Sequence, residues 1–493
     1  MTQLRSAGRQ PSAAGTAVTR FPLVVLVLLC AANFTVLLDS QSVMLALPSL
    51  TADLGMSAGT AQWVLSAKLL TFGGFLLLGG RAADRLGRRR VFMTGTLLFM
   101  VSSGVCGFAW NGEVMIIARA LGGAAAALMV PTALSILMNA FPEGRSRNMA
   151  LAGWAGIGGI GATAGLLIGG LLTQSLGWQW VFIINVPILA LVVLFTPMFV
   201  RESRGAQREG TYDLAGALTS TVAMVAIILA VSQATDAGWG SASTLGLFGI
   251  AALLVVLFLV IERRSSSPLL PIALLRKGSM AGGNLVALTM GMTVFGLSVT
   301  ISQYAQVVLG YGPLKFGVMQ SVMPMLAFAG AYVGQTVVTR IGFRPVVGAC
   351  LVLMGAGCFL LSFVRADGSY VPDMLWGLVV FGPGLGAGTA AASVAALAKV
   401  PERASGVASG LNVAALQVGG AFGVAVVTSV TTMFTPAPGG PAELAQGLGA
   451  AFVACVAFVL IGLVVTLTML RGKARTAAVE KLPVKEKDLP LAS

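Results

Sequence analysis

Phe21-Pro-Leu-Val-Val-Leu-Val-Leu-Leu-Cys30-Ala-Ala-Asn33-Phe-Thr-Val-Leu-Leu-Asp39-Ser-Gln41-Ser-Val-Met44-Leu-Ala-Leu47 runs for 27 residues with a single charge. About 20 apolar residues suffice for a helix to cross the hydrocarbon core of a bilayer. The run is too long for the core of a signal peptide, and others follow it, so it reads as a retained first span. Further apolar runs cover 58–80, 91–110, 113–138, 149–172, 180–200, 213–233 and 243–261. After a polar stretch come 282–309, 314–338, 344–364, 373–398, 404–430 and 447–470. The reading is an all-α polytopic membrane protein with fourteen spans.

Composition agrees with that reading. Over 493 residues the mean hydropathy is +0.91, and only 10% of residues are charged, against about 25% in soluble domains. Glycine is abundant, at 63 residues, which suits close helix contact in lipid, where burying apolar surface gives no drive for association. The net charge of +14 would suggest nucleic acid in a soluble protein. Here the basic residues flank apolar runs and no basic, aromatic-laced domain exists, so no nucleic-acid partner is expected. Cys30, Cys106, Cys350, Cys358 and Cys455 all fall inside apolar runs without metal-ligand spacing, so they read as packing residues and no metal site is expected. The sequence has no histidine.

Charge then orients the chain. With the N-terminus inside, 27 of the 31 basic residues fall on cytoplasmic segments. Lys315 and Arg365 stand on the opposite face, and Lys68 and Arg119 lie within spans. A missed or invented span would scramble this alternation, so both termini are expected in the cytoplasm. Residues 1–20 and 471–493 read as polar cytoplasmic tails.

An internal echo places the halves. Arg85-Leu-Gly87-Arg-Arg follows the second span and Arg340-Ile-Gly342-Phe-Arg344 follows the tenth. Two six-span repeats would put the second copy after the eighth span. Its position implies a first bundle at 21–200, two inserted spans within 201–265, and a second bundle with its preceding linker at 266–470.

The turn Gly80-Arg-Ala-Ala-Asp84-Arg85-Leu-Gly87-Arg88-Arg89 reads physically either as a topology anchor or as a latch between bundles. It resembles the signature loop of the major facilitator superfamily, G-x-L-A-D-R-x-G-R-[KR]. Leu38-Asp39-Ser-Gln41-Ser-Val-Met44-Leu-Ala-Leu-Pro48 is similar to the first-span motif of that superfamily's fourteen-span drug/proton antiporter branch, departing at Gln41 and Met44. Ala118-Arg119-Ala-Leu-Gly122-Gly123 resembles the fourth-span motif, with Gly122 in place of glutamine. Gly161-Ala-Thr-Ala-Gly165-Leu166-Leu-Ile-Gly169-Gly170 resembles the antiporter motif, with Leu166 in place of its proline. Trp178-Gln-Trp180-Val-Phe182-Ile-Ile-Asn185-Val-Pro187 fits the start of the sixth span. The likeness covers roughly 20–470 and implies two six-helix bundles plus an inserted pair, working by alternating access.

Three charged residues stand out. Asp39 is the one carboxylate well inside a span. An ionised carboxylate there is costly unless paired or protonated, as a proton carrier requires; the alternative is a structural partner for a buried cation. Lys68 lies about 18 Å along its helix from Arg81, too far for its side chain to reach the interface. It does not match the resemblance, which implies an aromatic there, and it either pairs with Asp39, binds an anionic group on the substrate, or serves only in packing. Arg119 sits about six residues into the fourth span; the resemblance implies that it tunes protonation of a nearby acid, against simple snorkelling at a helix end.

The glycines of 153–170 give small-xxx-small spacing; within an apolar helix and without a Walker lysine they do not form a nucleotide site. Candidate cavity residues are Gln41, Gln62, Trp63, Gln303, Tyr304, Asn412 and Gln417. Taken together, the residues and the resemblance imply a monomeric, proton-coupled exporter of small amphipathic compounds in a bacterial inner membrane. No enzymatic activity and no cofactor beyond the proton gradient are expected. A proton-coupled importer of a metabolite is the nearer alternative, and a non-transporting receptor or scaffold the more distant one.

Overall fold

The computed structural model describes residues 22–141, 145–203, 214–265, 278–398, 400, 405–435 and 440–470. The two expected tails lie outside the described residues. The first half contains α1 (Pro22–Asp53), α2 (Ala58–Leu86), α3 (Arg88–Gly107), α4 (Gly112–Ala140), α5 (Arg145–Ser175) and the broken helix α6 (Trp180–Ile183) and α7 (Asn185–Phe199). A hairpin of α8 (Leu214–Ala237) and α9 (Ala242–Arg264) follows. The second half contains α10 (Gly278–Gln303), α11 (Pro313–Gln320), α12 (Val322–Ile341), α13 (Phe343–Leu361), α14 (Trp376–Leu397), α15 (Ser405–Met433) and α16 (Pro441–Met469). A π-helical turn extends α10 over Tyr304–Val308 and another leads into α14 over Val371–Leu375.

Among the described residues, twelve helical stretches are long and apolar enough to cross a membrane. They include α6–α7 and α11–α12 as single stretches. α2, with 29 residues, and α8, with 24, are of comparable length and stand beside them.

The two halves repeat one packing scheme. In the first, α4 packs on α2 and α3, while α1 packs on α5 and α7, and α3 on α7. In the second, α14 packs on α12 and α13, α10 on α15 and α16, and α13 on α16. The echoed loops occupy matching places. Gly87 (φ +106°) turns α2 into α3, and Gly342 (φ +88°) turns α12 into α13. A side chain at either φ would be strained, so glycine is required for the tight reversal.

The same end is tied down by arginines that donate to terminal carbonyls. Arg89 Nη1 donates to Val200 O at 3.4 Å, just past α7, and Arg344 Nη2 donates to Leu467 O at 2.7 Å, near the end of α16. Each places a cation where a helix dipole is negative. Glu202 completes the first-half loop: its carboxylate accepts from the backbone N–H of Arg89 (3.0 Å) and Arg90 (3.3 Å), capping the start of α3. At the opposite end, Ser57, Asn111 and Ser241 cap α2, α4 and α9 by accepting from Thr60, Val114 and Thr244 N–H.

Helix contacts within each half rest on small residues. A Cβ at Gly386 of α14 would collide with the Ala327 carbonyl of α12 and lie 2.9 Å from its Cα, so the two backbones touch directly. Between halves, α2 packs on α15 and α5 on α11, and α8 lies against both α2 and α15.

Two outcomes check this account. Gly386→Ala should lower stability by about 1–3 kcal/mol, as overpacking does, read as a lower Tm in detergent; an unchanged melt refutes the contact. Glu202→Ala should speed hydrogen exchange at the Arg89 and Arg90 amides roughly fivefold, the equivalent of losing a cap of about 1 kcal/mol.

Candidate functional site

α1, α2 and α4 bring Asp39, Lys68 and Arg119 together. The three residues are 1%, 3% and 4% exposed. α1 can hold an acid there because it is apolar around its circumference and enclosed by neighbours, so Asp39 meets protein rather than lipid. Lys68 Nζ donates to Asp39 Oδ2, to Ser40 Oγ at 2.9 Å and to Val36 O at 3.3 Å. Arg119 Nη1 is shared between Asp39 Oδ1 (3.0 Å) and Oδ2 (2.8 Å), and its Nε donates to Val64 O at 2.9 Å. Aromatic faces close the cluster: the Phe99 ring centroid lies 5.4 Å from Lys68 Nζ and the Phe182 centroid 5.6 Å from Arg119 Cζ. Among the possibilities for Lys68, the geometry shows the pairing with Asp39.

A cavity of about 420 Å³ lies between the halves. α1 contributes Met44, Leu47, Pro48 and Thr51, and α2 contributes Ala61, Gln62 and Leu65. From the other half come Val299, Ser302, Gln303, Val307, Val424, Thr428, Thr431 and Thr432, with Thr435 just past α15 and Leu444 at the start of α16. Met56, from the α1–α2 turn, is also part of the lining. No residue of this lining is ionisable; hydroxyls and amides supply its polarity, and the methionines offer surfaces that adapt to different shapes. Leu65 is one helical turn from Lys68, so the cavity floor and the ion cluster share one stretch of α2. Beyond that floor the halves close: Leu69 and Leu70 pack on Val418 and Ala421.

Of the residues singled out for a cavity, Gln62 and Gln303 line it. The others stand elsewhere. Gln41 lies against Gly165 in the α1–α5 seam, and Gln417 faces Gly73 where α2 meets α15. Trp63 packs beside Leu69, Leu70, Val418 and Ala421. Tyr304 is fully buried with its hydroxyl donating to Arg365 O at 2.8 Å. Asn412 accepts from Ser393 and donates to Asn284. Helical periodicity places every third or fourth residue on one face, but sequence does not say which face meets the cavity. The threonines of α15 and the one just past it carry a single signal in sequence, their spacing at 428, 431, 432 and 435.

The glycines of α5 form a seam rather than a ligand site. Gly161 lies against Leu37 and Phe34, Gly165 against Leu38 and Gln41, and Gly169 against Ser42, all on α1. Ser42 Oγ donates to Gly165 O at 2.8 Å. Gly170 instead meets Pro313 and Leu314 of the other half. Leu166 is buried, and its carbonyl lies against Gly317 of α11. In the loop, Gly80 has open space around its Cα. Gly87 is covered by Glu202, Arg85 is exposed, and Arg88 is half-buried. Asp84 belongs to α2, with its side chain outside the described residues.

Comparison with known proteins gives a consistent picture. The model of the Major Facilitator Superfamily matches residues 29–424. The chain is 36% identical over 417 residues to the puromycin resistance protein pur8 of Streptomyces alboniger, covering 84% of this chain and 82% of that one. It is 35% identical over 474 residues to the cephamycin export protein CmcT of Amycolatopsis lactamdurans, covering 94% and 96%. Among solved structures, the POT family transporter PepTSo superposes with a TM-score of 0.66 at 15% identity, over 90% of this chain and 99% of that one; that likeness concerns the fold. The repeated halves, the loops at Gly87 and Gly342 and these matches lead to one conclusion: the chain is a multi-pass membrane transporter belonging to the Major Facilitator Superfamily.

Proposed function

We propose that this protein is a proton-coupled exporter of small amphipathic compounds, antibiotics among them, working by alternating access. The observation that carries the reading is the buried Asp39–Lys68–Arg119 cluster one turn beneath a cavity between the two halves. A cluster there senses whether the cavity is occupied, because α2 supplies both its cation and the cavity's Gln62 and Leu65. A proton bound in the cluster changes its charge and so biases the equilibrium between conformations. The cavity's neutral, partly hydroxylated wall supports recognition by apolar contact and hydrogen bonds rather than by ion pairing. The names of the relatives, resistance to puromycin and export of cephamycin, support antibiotic-like substrates and outward transport.

In this reading α2 and α8 join the twelve apolar stretches to make fourteen spans, and both termini lie in the cytoplasm of a bacterial cell, a reading that the distribution of Arg and Lys supports. The cavity then lies toward the outside, with α2 and α15 closed on the cytoplasmic side of it. The protein acts as a monomer, and the proton gradient is its energy source.

Growth of a puromycin-sensitive bacterial host tests this. The wild-type chain should raise the tolerated puromycin concentration, and Asp39→Asn, present in the membrane at equal amount, should return it to the level of the empty vector. Everted vesicles acidified inside should accumulate puromycin, and a protonophore should abolish the accumulation. Full resistance with Asp39→Asn, or uptake indifferent to the protonophore, would defeat the proposal.

A further inference from the structure

We propose that the proton is carried on the Nζ of Lys68, with Ser40 as its hydroxyl partner, while Asp39 remains an ionised counter-ion throughout. This rests on the proton-coupled reading and names the group that performs it. The cluster holds two cations and one carboxylate, all almost fully enclosed, and a guanidinium does not release its proton. If Asp39 took up the proton, the cluster would cycle between net charges of +1 and +2. With Lys68 as carrier it cycles between 0 and +1. In a medium of low dielectric the second cycle is far less costly, since protonating Asp39 would leave Lys68 and Arg119 repelling each other with nothing between them.

The bonding around Nζ fits both states of an amine. The ammonium has three donors, and three acceptors surround it: Asp39 Oδ2, Ser40 Oγ and Val36 O. In this arrangement the Ser40 hydroxyl donates to Val36 O at 2.8 Å. When Nζ gives up its proton to water it gains a lone pair. The Ser40 hydroxyl then rotates to donate to Nζ, which keeps its remaining donors on Asp39 and Val36. Asp39 meanwhile keeps Arg119 on both oxygens. Ser40 is partly exposed whereas Asp39 is enclosed, so of the two side chains bonded to Nζ the hydroxyl is the more accessible.

Among the described residues of the helices packed around Lys68, no other charge competes for the role. From α3, Cys106 is the titratable side chain acting on Lys68. α4 contributes Arg119 and α1 contributes Asp39, with Cys30 on α1 nine residues, roughly 13.5 Å, away along the helix. α15 has no ionisable residue, and the sole acid of α8 is Asp236, in its last turn.

Spectroscopy of the purified, lipid-reconstituted full chain tests the assignment without any substrate, so it stands apart from the transport assay. Infrared difference spectra between alkaline and acid pH report protonated carboxyl groups, and the 15N signal of Lys68, assigned by its loss in Lys68→Arg, reports the amine. We expect the Lys68 signal to move with pH and no protonated-carboxyl band to depend on Asp39. A titrating carboxyl band that Asp39→Asn removes, or a Lys68 signal that stays fixed, overturns the proposal. Should Asp39→Asn not fold, Asp39→Glu makes the same assignment by displacing the band rather than deleting it. In vesicles, Lys68→Arg should lose accumulation driven by the pH gradient, and Ser40→Ala should shift its pH profile while Ser40→Thr restores it. Gradient-driven accumulation persisting in Lys68→Arg would equally overturn it.

Discussion

A carboxylate enclosed in a membrane-spanning helix must be paired, and the first half of this protein is arranged around that constraint. Burying an ion costs several kcal/mol even after relaxation, and two unit charges 4 Å apart recover about 4 kcal/mol at an effective dielectric of 20. One partner for Asp39 is therefore marginal, and the structure supplies two, from α2 and α4. The pairing ties the middle of α1 to α2 and to the first third of α4. Carbonyls of Val36 and Val64 each take a further donor, from Lys68 and Arg119 respectively, so the cluster is also bonded to the backbone that carries it.

The glycine seams make this geometry reachable. Gly123 of α4 sits against the Lys68 carbonyl, and Gly165 and Gly169 of α5 let α1 approach until Ser42 bonds the α5 backbone. Larger residues there would separate the helices and with them the charges. The second half uses the same helix contacts and the same glycine turn but has no matching ion cluster among its described residues; Asn284, Ser393 and Asn412 form its buried polar contacts instead. Two halves of one design thus divide the work, with charge on one side of the cavity and a hydroxyl-rich wall on the other.

Twelve spans among the described residues and the duplicated loop were readable in sequence because both depend on local properties. A bilayer demands about 20 apolar residues wherever a helix crosses, and a tight reversal demands glycine at positive φ, so Gly87 and Gly342 mark equivalent points. Asp39, Lys68 and Arg119 stood out for the same reason: a charge inside an apolar run violates the local pattern. Glu202 carried no such mark. It lies in a polar segment more than a hundred residues from the α3 amides that it caps, and only the return of the chain past α7 brings it there. The cavity residues were largely illegible as well. Gln and Thr side chains on neighbouring turns look alike in sequence, and a rotation of a helix by one residue moves each by about 100°.

The sequence by itself determined that the chain crosses a membrane many times, that it carries the same glycine turn in both halves, and that its first half holds three charges in apolar surroundings. Tertiary structure decided what those charges do to each other. Lys68 could have faced a substrate or a carboxylate, and its helix is compatible with either. The close packing of α1, α2 and α4 selects the carboxylate, because only there do Asp39, Ser40 and the Val36 carbonyl meet all three of its donors. The first long apolar run thus contains, besides a span, the counter-ion and the hydroxyl that make a buried lysine tenable.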